Sequence, residues 1–349
     1  MNGPAVDVHA HHVPPEFLRR VREAAAQNAF PHVAAEDVSG GVRFRIGSEP
    51  ATRPVAPGLI KLDKRTETLA SRAIVAQLNG GWLDVFGYSL PPEEGAAWSA
   101  FLNDTLAESL AGASTGNVTY VPLATVPLQS GALAAEELSR AVGIGHAGAM
   151  IGTWIAGADG GRDLDHDDLE PFWARAEALH VPVVVHPVFA GGGDDARIHD
   201  RGLANAVARP NETALAMSRL LYAGVLDRYP NLQLIVSHGG GALPAILGRL
   251  ARNYELLRAA GETVADPRTG FEKLYFDSVV FSAQTLRSLV AMARPGGVML
   301  GSDDPFPIGD PRPRDVIEAK ELGIDDDARA RLLAGNACTL FPAVRGCCA

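Results

Sequence analysis

Cysteine is nearly absent from this chain. The only three, Cys338, Cys347 and Cys348, crowd the C-terminal tail in odd number and without a framework spacing, which excludes a disulfide-framed fold and reads as a reduced, frayed tail. Basic residues are in deficit too: 31 Lys and Arg stand against 41 Asp and Glu, for a formal net charge of −10. A general nucleic-acid binder needs a basic face, and none is evident. No apolar run approaches the ~20 residues of a membrane span. The N-terminus lacks a basic stretch followed by an apolar core, so no secretory leader is read and a cytoplasmic enzyme is expected. Low-complexity tracts are missing as well, as are internal repeats beyond an alternation of strands and helices.

What remains is an ordinary globular composition, 47% apolar and 21% charged over 349 residues. That length exceeds a typical domain, but α/β barrels reach it as one unit, so residues 1–349 are read as a single domain. Eight short β-rich runs can be marked: VDVHAH from Val6, IVAQLN from Ile74, VTYVPLATV from Val118, GAMIGT from Gly148, VPVVVHPV from Val181, LQLIVSH from Leu232, LYFDSV from Leu274 and VMLGSDDP from Val298. Several are almost wholly apolar, as parallel strands covered on both faces are. Between them helical spacing runs over Ala96–Ala111, Leu133–Val142, Leu169–Leu179, Glu212–Arg228, Pro244–Ala259 and Ala283–Ala293, with one more helix over Asp325–Leu333. Strand then helix, repeated in this way, predicts an α/β fold of the (β/α)8 TIM-barrel type, with an open doubly wound sheet as runner-up. The first connection breaks the rhythm. Residues 13–72 pass through GGVRFRIGSEPATRP and read as a small hairpin and loops inserted as a lid over one mouth.

Two short motifs invite other chemistry and fail on context. GIGHAG, Gly143 to Gly148, matches a dinucleotide fingerprint but follows a helix and precedes a strand, the reverse of what a pyrophosphate site requires. GASTG, Gly112 to Gly116, matches a nucleophile elbow without the strand–turn–helix setting, and HGGG at His238 comes too late in the chain to serve as its oxyanion loop.

The informative residues are the polar ones at the C-terminal ends of the strands, where barrel enzymes build their active sites. They are His9 and His11 on the first strand, His186 on the fifth, His238 on the sixth and Asp303 on the eighth, with Asp304 as a rival to Asp303. Strand alternation sends His9 and His11 to one side and His12 to the other. An unpaired imidazole at the end of VVVHP would be costly to bury, which favours ligation by His186. A mixed nitrogen and oxygen set of this kind suits one divalent ion, zinc first, with manganese or iron as alternatives. His12, His32, His146, His166, His180 and His199 are read as structural or surface residues.

DVHAH, VHPV, SHGGGALPAILGR and LGSDDPFP, at these intervals, resemble the amidohydrolase-related decarboxylases typified by aminocarboxymuconate-semialdehyde decarboxylase, and the resemblance runs from Val6 to about Phe341. It implies His9, His11, His186 and Asp303 as ligands of one divalent metal, usually zinc, and so selects Asp303 over Asp304. It implies His238 as the acid/base, Arg249 reaching the active site of a partner subunit in a homodimer, and Arg45 in FRI binding a substrate carboxylate. Two departures stand out: Ser39 where the family has a lysine, and Asn205, after the Gly-rich AGGGDDARIHDRG, where it has a tryptophan that packs on substrate. The expected activity is non-oxidative decarboxylation of an unsaturated or aromatic acid, using metal-bound hydroxide with His238. Hydrolysis of a lactone, amide or C–C bond at the same centre is the alternative, and a metal-free scaffold the third.

Overall fold

The computed structural model describes residues 3–114, 117–157, 160–188, 196–198 and 200–347. All eight expected strands form: β1 Ala5–His11, β2 Ile74–Gly80, β3 Thr119–Pro122, β4 Ala149–Gly152, β5 Val183–His186, β6 Leu234–Val236, β7 Tyr275–Asp277 and β8 Val298–Met299. They pair in parallel as two runs, β1 to β3 and β4 to β8. Single bridges stitch the runs together at Ala124–Ala149 and Ala10–Asp304. There Met150 N donates to Ala124 O at 2.8 Å and His11 N to Asp304 O at 2.8 Å. The ring therefore closes, which excludes the open sheet.

Apolar residues dominate the strands because both faces are covered. Val183, Val184 and Val185 are at most 1% exposed, and burying each such side chain contributes ~1.5–3 kcal/mol. The connecting helices are α1 Pro15–Ala26, α2 Pro92–Ala113, α3 Gly131–Gly143, α4 Glu170–Leu179, α5 Arg209–Tyr222, α6 Leu243–Ala259 and α7 Ala283–Met292. Ser130 and Ser282 cap α3 and α7 by accepting from Leu133 N and Thr285 N. The helix expected over Glu212–Arg228 is two pieces, because Gly224 at φ +68° ends one and starts a short turn, Val225–Arg228.

The insertion is more ordered than its composition implies. It holds α1, an antiparallel hairpin pairing Val33–Val38 with Gly41–Ile46, and a helix over Asp63–Ser71. Phe17, Phe44, Ile46 and Trp98 gather there into a core separate from that of the barrel. The tail is not frayed, since Phe341 and Val344 are buried. Nor is it wholly reduced: Cys347 is free, but Cys338 is disulfide-bonded. Among the described residues no helix is long and apolar enough to cross a membrane.

Candidate metal centre

β1 delivers its histidines by alternation. Val6, Val8 and Ala10 face the helices, while Asp7, His9 and His11 face the barrel interior, all of them buried. His12 turns outward between Leu59 O (2.9 Å) and Ser109 Oγ (3.0 Å), and burial pushes its pKa down to about 3. It is a structural residue, as read from the sequence.

His9, His11, His186 and Asp303 meet above the interior, their ligand atoms within 4.8 Å of one another. Each ring is tethered through its far nitrogen. Nδ1 of His9 contacts Asp277 Oδ2 at 2.6 Å, that of His11 contacts Gly81 O at 3.1 Å, and that of His186 contacts Pro187 O at 2.9 Å. These partners only accept, so Nδ1 must donate and each Nε2 keeps its lone pair pointing inward. The Nε2 atoms of His9, His11 and His186 lie 3.2, 3.1 and 3.6 Å from Asp303 Oδ1, and those of His9 and His11 lie 3.3 Å apart. Among the described residues, buried His186 Nε2 has no hydrogen-bond partner. Four acceptors facing one another in a dry site repel unless a cation stands between them. Ligands ~2.1 Å from a tetrahedral ion are ~3.4 Å from one another, which matches this spacing. The residues fit a single divalent metal.

The electrostatics agree. Burial raises the cost of charge on Asp303, but the surrounding imidazoles, His9 first, outweigh it and hold the carboxyl well below its usual range. Burial likewise opposes charge on His9, yet Asp303 and Asp277 push its pKa up to about 10. Burial lowers His11 and His186.

His238 sits at the rim, its side chain 18% exposed, with Nε2 3.3 Å from Asp303 Oδ2. His238 and Asp303 adopt left-handed φ values of +55° and +60°, each costing ~1–3 kcal/mol and persisting only where the surroundings enforce it. Asp277 does so for His238, accepting from His238 N and Gly239 N at 2.9 Å each. The HGGG run is a packing device. A Cβ on Gly239 would meet Val280 at 2.3 Å, and one on Gly241 would meet Pro210 O at 2.4 Å. The sequence reading passed over Asp277, although LYFDSV places a carboxylate at a strand end like the others.

Asp304 faces the other way, pairing with Arg65 Nε at 2.9 Å. Arg45 does not reach the centre. On its hairpin strand Phe44 and Ile46 point inward, so Arg43 and Arg45 point to solvent, and Arg45 pairs with Glu36. The arginine at the mouth is Arg53, eight positions on, whose Nη2 lies 3.3 Å from Asp84 Oδ2. Both line a cleft of about 250 Å³ with Leu83, Phe86, Tyr88, Trp154 and Val188. Arg209, the first residue of α5, carries a charge that acts on Asp84, and Asp84 also senses His11, so the cleft lies within electrostatic reach of the metal centre. Asn205 lies in a π-helical turn, Ala204–Ala208, directly before α5 and is half-buried. Residues 189–195 of the Gly-rich stretch, and His199, fall outside the described residues. Arg249 is exposed on α6, with no hydrogen bond or ion pair among the described residues.

The family model described as Amidohydrolase matches residues 89–343. The chain is 31% identical over 257 residues to 2-amino-3-carboxymuconate-6-semialdehyde decarboxylase of Dictyostelium discoideum, covering 72% of this chain and 68% of that protein. It is 32% identical over 256 residues to gamma-resorcylate decarboxylase of Rhodococcus jostii, covering 68% and 74%. The structure of a dihydroxybenzoic acid decarboxylase from Polaromonas, with bound manganese and the inhibitor 2-nitroresorcinol, superposes with a TM-score of 0.76 at 23% identity over 97% of each chain.

Proposed function

The chain belongs to the amidohydrolase family, and from that premise we propose that it is a metal-dependent, non-oxidative decarboxylase of a small aromatic or unsaturated carboxylic acid. The observation that carries the proposal is the convergence of three buried imidazole nitrogens and the Asp303 carboxylate on one point. His238 stands beside that point, and a cleft lined by Arg53 and Asp84 lies within electrostatic reach of it. Residues 1–349 act as one catalytic unit, with 13–72 as its insertion. His9, His11, His186 and Asp303 hold one divalent cation, which when bound supplies Lewis acidity toward an anionic oxygen of the substrate. Three nitrogens and one oxygen suit zinc and manganese alike; the manganese of the Polaromonas structure supports the second.

The chain's own residues do the rest. Phe86, Tyr88 and Trp154 flank a cleft large enough for one substituted ring. Arg53, steadied by Asp84, and Arg209 receive the negative charge of the substrate, and Asn205 offers an amide from the turn before α5. The bond to the carboxylate breaks and carbon dioxide leaves. The electron pair left on carbon then takes a proton from His238 Nε2, a transfer worth ~10²–10⁴-fold in rate. Partial exposure of His238 lets solvent restore that proton.

The enzyme acts as a cytoplasmic homodimer, with Arg249 completing the partner's site. Exposed Leu215 on α5 and Leu256 on α6, 57% and 52% open, support an apolar contact on the helix pair that carries Arg249. Turnover of hydroxylated benzoates in deuterated water tests the reaction. The expected product carries one deuterium where the carboxylate stood, with one carbon dioxide released per turnover. Uptake of ¹⁸O from labelled water without carbon dioxide would make the enzyme a hydrolase instead.

A further inference from the structure

β1 and the segment after β8 carry three of the four ligands, yet their seam is thin. β8 ends at Met299, so Asp303 lies beyond its regular pairing. Backbone contact there rests on Val8 N to Leu300 O, Asp303 N to His9 O and His11 N to Asp304 O, at 2.8–2.9 Å, with a longer bond from Ser302 N to His9 O at 3.4 Å. Asp303 is moreover held in a left-handed conformation that aspartate does not adopt for free.

A buried guanidinium spans this seam from behind. Arg65, on the helix Asp63–Ser71, is 7% exposed. Its Nη1 donates to His11 O at 3.0 Å and Asn79 Oδ1 at 3.1 Å, its Nη2 to Gly58 O at 3.0 Å, and its Nε meets the Asp304 carboxylate at 2.9 Å. One rigid fork therefore grips the carbonyl of one ligand residue and the side chain next to another. The circuit continues through Asp304 N, which donates to Ser302 Oγ at 3.1 Å; Ser302 Oγ donates to Asp7 Oδ2 at 2.5 Å, and Asp7 Oδ1 accepts from His9 N at 3.1 Å. We infer that the Arg65–Asp304 pair is a clamp that sets the spacing of the HxH histidines from Asp303, and with it the affinity and coordination geometry of the metal centre. Arg65 and Asp304 are positioning residues, since neither points a donor atom at the ligand cluster. Lysine cannot replace the arginine, because a single ammonium does not reproduce the planar, forked donor set.

The inference rests on the metal centre proposed above, and Co²⁺ titration of metal-stripped protein separates the two. Wild-type protein that takes up no Co²⁺ would defeat the centre itself. Given wild-type uptake, Asp304→Asn, Arg65→Lys and the double variant are compared, with circular dichroism as the check on folding. Asp304 has a side chain 35% exposed and tolerates the change, so Asp304→Asn decides alone if Arg65→Lys fails to fold. Each single variant is expected to weaken Co²⁺ binding 10–100-fold and to shift its visible ligand-field bands, with the double variant no weaker than the worse single. Binding within twofold of wild type with unshifted bands, or losses that multiply in the double variant, would overturn the clamp.

Discussion

Replacing Asp277 by asparagine changes one atom and leaves its volume intact, yet the structure gives that atom no harmless position. Asp277 accepts four hydrogen bonds: Oδ2 from His9 Nδ1 at 2.6 Å and His238 N at 2.9 Å, Oδ1 from Gly239 N at 2.9 Å and Val279 N at 3.0 Å. Whichever oxygen becomes an amide nitrogen, two donors lose their acceptor in a residue 1% exposed. At ~1–3 kcal/mol per stranded buried donor, the folded state loses about 2–6 kcal/mol. His9 can soften this by moving its proton from Nδ1 to Nε2, but Nε2 is the nitrogen that faces Asp303, and a protonated nitrogen does not ligate. Asp277→Asn is thus expected to lower stability in denaturant and to weaken metal binding 10–100-fold, read by chelator competition at fixed pH. Wild-type metal affinity together with a stability loss below ~1 kcal/mol would refute the assignment of Asp277 as the orienting group.

His238→Asn should keep stoichiometric metal by elemental analysis while turnover falls ~10²–10⁴-fold; loss of the metal would instead make His238 a ligand. Arg53→Ala should raise KM for carboxylate substrates tenfold or more, by loss of an interaction worth ~1.5–3 kcal/mol, whereas Arg45→Ala should leave kinetics unchanged; the opposite pattern would restore the hairpin arginine. Burial pushes Glu212 up from 4.5 to about 7, so between those values the folded chain binds more protons than the unfolded one and stability falls as pH rises. Glu212→Gln lacks that slope, and its melting temperature should therefore gain on wild type from pH 5 to pH 8; a constant difference would remove the effect. Mixing inactive His238→Asn chains with inactive Arg249→Ala chains should restore one competent site per hybrid dimer; no recovery after proven exchange would end the shared-site reading.

The barrel was legible because strands buried on both faces leave unbroken apolar runs such as Val183–Val185, and glycines and prolines punctuate them. Closure was not legible, since it rests on two isolated bridges rather than on any pattern. α1 was hidden because it buries only Phe17 and Val21, too few anchors for a period to emerge. The candidate ligand histidines stood out by their position at strand ends, and the fold brings them together with Asp303. Arg45 failed on phase: a one-residue step along a hairpin strand reverses the face, and Arg53, in a loop, has no phase to read. Asp277 was in plain view at the end of its strand, and only geometry revealed how many donors it serves.

The centre joins His11 and Asp303 across 292 positions of chain. A ribosome adding ~5–20 residues per second therefore releases the histidine pair roughly 15–60 s before the aspartate that completes the set. Through that interval the set is incomplete, with His186 joining the first pair partway and Asp303 last. A set drawn from positions 9 to 303 is accordingly complete only once the last strand is in place. An ion held there would act as a late rivet across the first and last strands, at a join that otherwise has few backbone contacts.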